Sequence, residues 1–546
     1  MSTPVLVAVA WPYASGSRHL GHLAGVYLPA DIYARFQRLK GNDVLMVSGS
    51  DVHGTPITVR ADTEGVAPSE IADRSHSEFC QQWNALGITF DLYTTTGTPN
   101  HTAATQEMFL SHLKKGFIYK KASEQFYDPV AERFLPDRYI NGVCPHCMYE
   151  EARGDQCENC GRPLDPVDLL KPRSKITGSE PVMRSTEHFY FRFSDLSEDV
   201  AKWLRTRKGW RPHVLNSSLG WTDEGLQDRA VTRDLDWGIE LPVDDLGEGK
   251  CIYVWYDAVI GYLSASKEWA AQNGDTDRWK RWWQNDDALH VYFLGKDNIP
   301  FHTLFWPAQL MAYGGLRLPD IVAGTQYVTF SGQKASASRG VGTTIGDGLK
   351  FFEPDALRYA LASLMPEHAD SDTSIGEIVR RINNELVATW GNLVNRVLSL
   401  AQSVLGGIFP EVNAEATIAE EDRSLLAAVD GALLVEADQI ERVALKAGLR
   451  TAMETATKVN AYLNATEPWK LKSSDPERAA AVVATAVQAV AGVRIAFSPY
   501  LPFSTEALGR VFGPITEWKR PELSQGLQLA KLPPLFSKVD PATFES

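Results

Sequence analysis

Residues 4–22 read Pro4-Val5-Leu6-Val7-Ala8-Val9-Ala10-Trp11-Pro12-Tyr13-Ala14-Ser15-Gly16-Ser17-Arg18-His19-Leu20-Gly21-His22. The apolar run 4–10 has the length of a buried strand, Pro12 and the small polar residues 14–17 break it, and helical spacing follows from about 19 to 40. Working outward, Val44 to Val47 forms a second strand that ends in Ser48-Gly49-Ser50-Asp51, and helical periodicity returns over 68–87. Strand and helix alternate. This predicts an α/β fold with a Rossmann-like, doubly wound parallel sheet, whose ligands sit beyond the carboxyl ends of the strands, where both of these loops lie.

The alternation is lost between 117 and 236, a stretch of prolines, charged turns and cysteines that reads as an inserted domain. Apolar segments return at Ile252–Trp255, His290–Leu294 and Ile321–Ala323, where the split sheet is expected to resume. After 371 the spacing is helical through 380–404, 420–465 and 476–497. The expected units are 1–116 and 237–320 for the two halves of the sheet domain, 117–236 for the connective insertion, 321–370 for a loop-bearing region and 371–546 for an α-helical bundle. Several units suit 546 residues at about 150 per domain.

Hydrophobic residues make up 44% and charged residues 22%, an ordinary globular balance. No apolar run is read as approaching the roughly 20 residues of a spanning helix, and the chain starts directly in a strand, so a cytoplasmic protein without a membrane partner is expected. A net charge of −14 argues against coating nucleic acid, and no DNA partner is expected. An RNA partner would need a local basic face, and Arg205, Arg207, Lys208 and Arg211 are one candidate, with a solvated helix end as the plainer alternative.

Cys144, Cys147, Cys157 and Cys160 form two CxxC pairs, while Cys80 and Cys251 stand alone. Two such knuckles facing each other make a closed S4 site suited to one structural zinc ion, with two disulfides or an iron–sulfur site as the competing readings. Pro145 and Gly161 fit the turns. His19-Leu20-Gly21-His22 stands at a strand-to-helix turn, where backbone N–H groups at a helix start receive phosphate. Two imidazoles flanking a glycine can face the phosphates from one edge, and Gly21 leaves room for a flat base. A pair of satisfied histidines at a helix start is the bland alternative.

The run Ala10-Trp11-Pro12-Tyr13-Ala14 leading to His19-Leu20-Gly21-His22 resembles the signature of the class I aminoacyl-tRNA synthetases in its methionyl version. Gly49-Ser50-Asp51-Val52-His53-Gly54-Thr55-Pro56 is similar to that family's GTDEHGTP loop, Val254-Trp255-Tyr256-Asp257-Ala258 to its VWxDA strand end, and Gly295-Lys296-Asp297 with Phe301-His302 to its GKD and FH elements. The match spans nearly the whole chain in order. Relatives that charge leucine, isoleucine or valine carry a large editing insertion for which 117–236 has no room.

The resemblance implies adenylation of methionine with MgATP, then transfer to the 3′ end of tRNA(Met). It implies an ATP site at His19, Gly21, His22, Gly295, Asp297 and Lys334, with His19, His22, Lys334, Ser336 and Ser338 as the catalytic groups. It also implies an aromatic methionine pocket of Tyr13, Trp255, Ala258, Tyr262, Phe301 and His302, with Asp51 and the Trp11 carbonyl taking the ammonium. A thioether gains from sulfur–aromatic contacts and a carboxylate answers a fixed positive charge. Region 321–370 would carry the signature loop and the stem contact. Asn392, Arg396 and Trp469 would read the anticodon from the helical domain.

The sequence departs from the family in that loop. Where relatives read Lys-Met-Ser-Lys-Ser, with a second lysine that neutralises ATP charge in the transition state, this chain reads Lys334-Ala335-Ser336-Ala337-Ser338-Arg339. Lys334, Ser336 and Ser338 keep their matching positions, and the second lysine is Ala337. Lys334 or Arg339 are the expected substitutes. Ser15, Val52 and Val259 are lesser departures, from Asn, Glu and Pro. The alternatives are a diverged paralogue that donates methionyl-adenylate to another acceptor, or a tRNA-binding protein without catalysis. A monomer is expected, because the chain stops near Pro533-Pro534-Leu535-Phe536, about where a dimerising extension would begin.

Overall fold

A computed structural model of the chain describes residues 2–154, 157, 159–160, 162, 164–247, 249–330, 332–334, 342–410 and 419–544. The run that opens the sequence is β1 (Pro4–Val9), buried along its length, which suits a parallel strand covered on both faces. It pairs with β2 (Asp43–Ser50) on one side, which pairs in turn with β3 (Leu92–Thr95). On its other side it pairs with β4 (Leu289–Gly295), followed by β5 (Ile321–Thr325). The order β5-β4-β1-β2-β3 is parallel throughout and reverses at β1, so the crevice between β1 and β4 is where a doubly wound sheet receives ligands. The sheet therefore runs to Thr325, past the expected end of its second half at 320.

One expected strand is absent. Cys251–Ile252 pairs antiparallel with Thr232–Arg233 and Ile239–Glu240 inside a separate small sheet, and Val254–Asp257 is already helical. A short apolar run does not by itself distinguish a strand from a buried helix start. The insertion is built on a long antiparallel pair, Ile118–Asp128 with Val182–Phe191. Its basic cluster is not one continuous face: Arg211 is buried, donating to Gly324 O at 2.9 Å and Val443 O at 3.1 Å, while Arg205, paired with Asp223, and Lys208 are exposed at the helix end. Beyond β5, β6 (Val328–Phe330) pairs with β7 (Gln333–Lys334) and, in parallel, with β8 (Ser371–Thr373).

The bundle contains α1 (Asn392–Leu405), α2 (Glu420–Glu441), α3 (Leu445–Thr466) and α4 (Pro476–Phe497). Asp475 caps α4 by accepting from Arg478 N, and Pro476 takes the first helical position, where its missing N–H costs nothing. Contrary to the expectation from sequence, α4 is long and apolar enough to span a bilayer, but its apolar stretch is 89% buried as the centre of the bundle.

Arg358 joins the two parts of the molecule. Its guanidinium is fully buried, pairs with the equally buried Asp31 at 2.7 Å, and donates to the carbonyls of Leu86, Pro499 and Tyr500. Burial alone would push the Asp31 carboxyl up, but Arg35, Arg358 and Thr89 outweigh it and hold the pKa below its ordinary value. The stability this lends is present above the ordinary carboxylate range near pH 4 and is lost as pH falls through the lower folded value. Arg358→Met should destabilise by about 3–5 kcal/mol in urea denaturation at pH 7, because it removes one of the two cations paired with the buried Asp31 and leaves the carbonyls of Leu86, Pro499 and Tyr500 without their donor. The deficit should narrow as the pH approaches about 4, where that carboxyl can take up a proton; an effect below about 1 kcal/mol at pH 7 would show the pair to be dispensable.

Candidate active site

The residues that end β1 and β4 open onto a cleft of about 370 Å³. Trp11, Tyr13, His19, Gly21, His22, Asp51, Trp255, Ala258, Tyr262, Gly295, Asp297, Phe301 and His302 all line it. Every ATP and methionine candidate drawn from the sequence is therefore in one place, apart from Lys334. The backbone of Lys334 lies in β7, while Ala335, Ser336, Ala337, Ser338 and Arg339 fall outside the described residues.

His19 precedes the helical turn Leu20–His22, and its own N–H donates to His22 Nδ1 at 3.3 Å. The two rings stand 3.7 Å apart. Burial first, then His19 and Arg18, hold the His22 pKa well below the usual imidazole value, so the ring is neutral and carries its proton on Nε2. Gly21 has a reason beyond room for a base: a Cβ there would come within 2.9 Å of His19 Nδ1. The helix then passes through a buried π-helical stretch, Leu23–Tyr27, which Thr325 meets by donating to Gly25 O at 2.9 Å. Such stretches recur beside functional sites.

The apolar side of the cleft is a set of interlocked rings. The Trp11 indole lies where a Cβ on Gly49 or Gly261 would approach within 2.3 or 2.7 Å, and Tyr13 fills the same kind of slot over Gly54. The Trp255 indole N–H donates to Tyr13 OH at 2.7 Å, and Trp255 meets Phe301 edge-on at 4.3 Å between centroids. His302 Nδ1 contacts Asn298 O at 2.8 Å, which makes it the donor there and leaves Nε2 to accept from Tyr262 OH at 2.6 Å. Burial lowers its pKa to about 4. The result is an aromatic-walled pocket with fixed tautomers, suited to an unbranched apolar side chain.

Asp51 sits at the inner end of this pocket and is almost fully buried. Burial, then the nearby Asp257 carboxyl, push its pKa well up, while the His53 N–H donates to it at 3.1 Å. An arriving ammonium would reverse that shift. Asp257 is itself held by His53 Nδ1 at 2.8 Å, a pairing that sequence reasoning did not find although both residues stand inside the motifs it quoted. Arg18 and Arg138 also line the cleft and were missed; Arg18 directly precedes His19. Of the lesser departures, Val52 is buried with its carbonyl accepting from the Trp237 indole, and Ser15 O accepts from Arg60.

The four knuckle cysteines bring their sulfur atoms within 4.8 Å of one another, with Cys144–Cys160 at 4.0 Å and Cys147–Cys157 at 3.5 Å. No disulfide forms among them. A tetrahedral ion with bonds of about 2.3 Å spaces its sulfur ligands by about 3.8 Å, so the cluster fits a metal ion such as zinc. Gly161 lies outside the described residues. In the bundle, Asn392 is exposed at the start of α1, and Arg396 one turn on lies 4.8 Å over the ring of Trp469, itself 41% exposed. Arg396 also donates to Asn464 at 2.7 Å.

Residues 5–398 match the family described as tRNA synthetases class I (M), and residues 412–542 match the anticodon binding domain of methionyl tRNA ligase. Similar full-length proteins include a methionine–tRNA ligase of Dehalococcoides mccartyi, 47% identical over 100% of this chain and 99% of that protein. Another is that of Chloroflexus aggregans, 43% identical over 100% and 98%. Among solved structures, Mycobacterium tuberculosis methionyl-tRNA synthetase in complex with methionyl-adenylate aligns with a TM-score of 0.79 at 25% identity, covering 98% of this chain and 100% of that one.

Two outcomes are expected. Elemental analysis of the purified chain should find one metal ion, and Cys157→Ser should release it and loosen the 118–191 insertion to limited proteolysis, because a thiolate lost from a closed site leaves it short of a ligand. A wild-type chain without metal would refute the site. Imidazole NMR titration should find His302 neutral from about pH 5.5 to 8 and His22 neutral at pH 7. Since both values are lowered on folding, the pair should cost stability only as pH falls below about 6.5, and a resonance of either ring titrating near pH 6.5 would contradict the assigned tautomers.

Proposed function

The chain belongs to the methionyl-tRNA synthetases of class I, and from that premise we propose how its residues share the reaction. Its activity is that of a methionine–tRNA ligase: methionine and ATP give methionyl-adenylate and pyrophosphate, and the methionyl group then passes to tRNA. Similarity at this identity over the full length favours the ligase over a diverged paralogue or a non-catalytic tRNA binder.

The reading of the site rests on one observation, that the histidine edge and the aromatic pocket with its buried carboxylate face the same small cleft. Asp51 and the Trp11 carbonyl hold the substrate ammonium, Tyr13, Trp255, Tyr262, Phe301 and His302 surround the thioether, and Ala258 leaves room beside them. Once Asp51 has paired with the ammonium, the substrate carboxylate is directed toward the phosphates. The Nε2–H of His22 and the ring of His19 donate to the phosphate chain, and Lys334, Ser336 and Ser338 of the signature loop act on the same phosphates. Gly295 and Asp297 border the nucleoside. Mg2+ bound with ATP neutralises part of the phosphate charge.

The chain's own groups position and stabilise, and no enzyme nucleophile takes part. Zinc at the four cysteines holds the knuckle's fold, since four thiolates leave no open position for catalysis. Work in the cytoplasm follows from tRNA as partner.

Recognition of tRNA(Met) rests on Asn392, Arg396 and Trp469, the first two on one face of α1, one turn apart. Wild-type protein should exchange pyrophosphate into ATP in the presence of methionine and of no other amino acid; exchange with a different one would end the specificity assignment. Trp469→Ala should lower aminoacylation by about 1–3 kcal/mol, roughly 5- to 150-fold, through loss of base stacking, while exchange stays near wild type. Equal loss in both assays would make Trp469 a residue of the fold.

A further inference from the structure

We propose that Arg18 is a catalytic residue, whose guanidinium engages the phosphate chain of ATP beside His19 and His22 and supplies the positive charge that Ala337 leaves out of the signature loop. This rests on the reading above, that the cleft activates methionine with ATP.

Arg18 lines the cleft next to the histidine edge. Its guanidinium is fixed in place: Nε and Nη2 both donate to Gly16 O, at 3.1 and 2.8 Å, and its face lies 5.3 Å from the centroid of Phe79. The loop that presents it is itself tight, since Gly16 has a φ of 141° and a Cβ there would meet Arg60 Nη1 at 2.6 Å. What the arginine lacks is a counter-ion. Among the described residues no carboxylate lies within ion-pair distance of it, and nearby Glu78 is engaged by Ser17 and Gln82. Burial accordingly lowers its pKa. A crowded guanidinium bonded only to one carbonyl and an aromatic face leaves Nη1 without a hydrogen bond, and an arriving polyanion would offset that cost.

Full positive charges are few in the lining of the cleft, Arg18 and Arg138 among the described residues. His22 is neutral, and Asp51 and Asp297 are carboxylates. The other arginine of the lining, Arg138, lies over the Tyr13 ring at 5.7 Å, whereas Arg18 directly precedes the histidine edge.

Topology ties the arginine to the described legs of the signature loop. The returning leg of the loop is stitched to the Arg18 backbone: Ile345 N donates to Arg18 O at 2.8 Å, and Leu20 N donates to Thr343 O at 3.0 Å. The departing leg pairs with β6, whose Val328 lies 3.3 Å from where a Gly21 Cβ would stand. The returning leg thus meets residues 18–20 directly, and the departing leg is joined to Gly21 through β6. A cation rooted there already faces the phosphates and needs no loop to deliver it.

In the reaction a methionine carboxylate oxygen bonds to the α-phosphorus, the bridging bond from that phosphorus to the β-phosphate oxygen breaks, and pyrophosphate leaves with the electron pair. Charge grows on the non-bridging and departing oxygens, to which a fixed guanidinium donates.

Methionine-dependent pyrophosphate exchange by the full chain tests this with Arg18→Gln, Arg18→Lys, Ala337→Lys and the Arg18→Gln/Ala337→Lys double variant. Arg18→Gln should lower kcat on the order of a hundredfold or more, with KM for methionine within about threefold of wild type. Arg18→Lys should recover part of the loss. Ala337→Lys should change the wild type by less than about threefold yet restore Arg18→Gln by about tenfold or more, because the two cations answer the same charge. Thermal midpoints and methionine binding followed by tryptophan fluorescence check that each variant is folded. Arg18→Gln within about threefold of wild type in kcat, a loss carried by KM for methionine, or no rescue by Ala337→Lys would each overturn the proposal. A wild-type chain with no methionine-dependent exchange would instead refute the ligase reading.

Discussion

Two charges with no access to water, Asp31 and Arg358, hold the nucleotide sheet and the helical bundle in one frame. The helix that carries Asp31 continues directly from the turn bearing His19 and His22, so the carboxylate fixes the axis on which those imidazoles sit. Arg358 spends its remaining donors on carbonyls at the end of α4 and on Leu86. A buried ion pair is seldom a net gain over apolar packing, but it is unforgiving of misplacement, because either charge alone in that interior is costly. The pair thus sets the position of the phosphate edge relative to the bundle, and an apolar contact could slide where this one cannot.

The cleft reverses the character of the whole chain. A protein with 14 more negative than positive charges receives a polyanion, and it does so with neutral imidazoles, backbone amides and very few full charges. Asp51 and Asp257 crowd each other behind the apolar pocket, each pushed up mainly by burial. That arrangement penalises the empty pocket and rewards a ligand that brings an ammonium to one end and an unbranched side chain to the other. Arg18 plays the opposite part at the phosphate edge, a cation kept without a partner until an anion comes.

Much of this was legible in the sequence because it is local. A seven-residue apolar run cut by Pro12 gives a strand end, and a glycine between two histidines gives a helix start; the CxxC spacing brings four sulfur atoms together with little help from the rest of the chain. What was not legible depends on partners far away. Ile252–Trp255 has the composition of a sheet strand, but Ile252 pairs in a small separate sheet and the residues from Val254 on are helical. Arg211, within a basic cluster, turned out to be consumed by carbonyls of β5 and the bundle. The uniform apolar face of α4 carries no periodicity that distinguishes a bundle centre from a bilayer span. Nothing near Asp31 or Arg358 announces that they meet, 327 residues apart.

The order of the strands also governs how the chain can fold while it is being made. β1 emerges first but its neighbour β4 follows only after the whole insertion, and Thr325 reaches Gly25 across 300 residues. At 5–20 residues per second the ribosome needs roughly 15–60 s to supply that partner. During that interval β1 has β2 on one side and an open hydrogen-bonding edge on the other, flanked by apolar faces that the finished protein covers completely. Synthesis of this chain therefore passes through an obligatory, long-lived half-sheet, and the cell must shield that edge until the second half of the sheet leaves the ribosome.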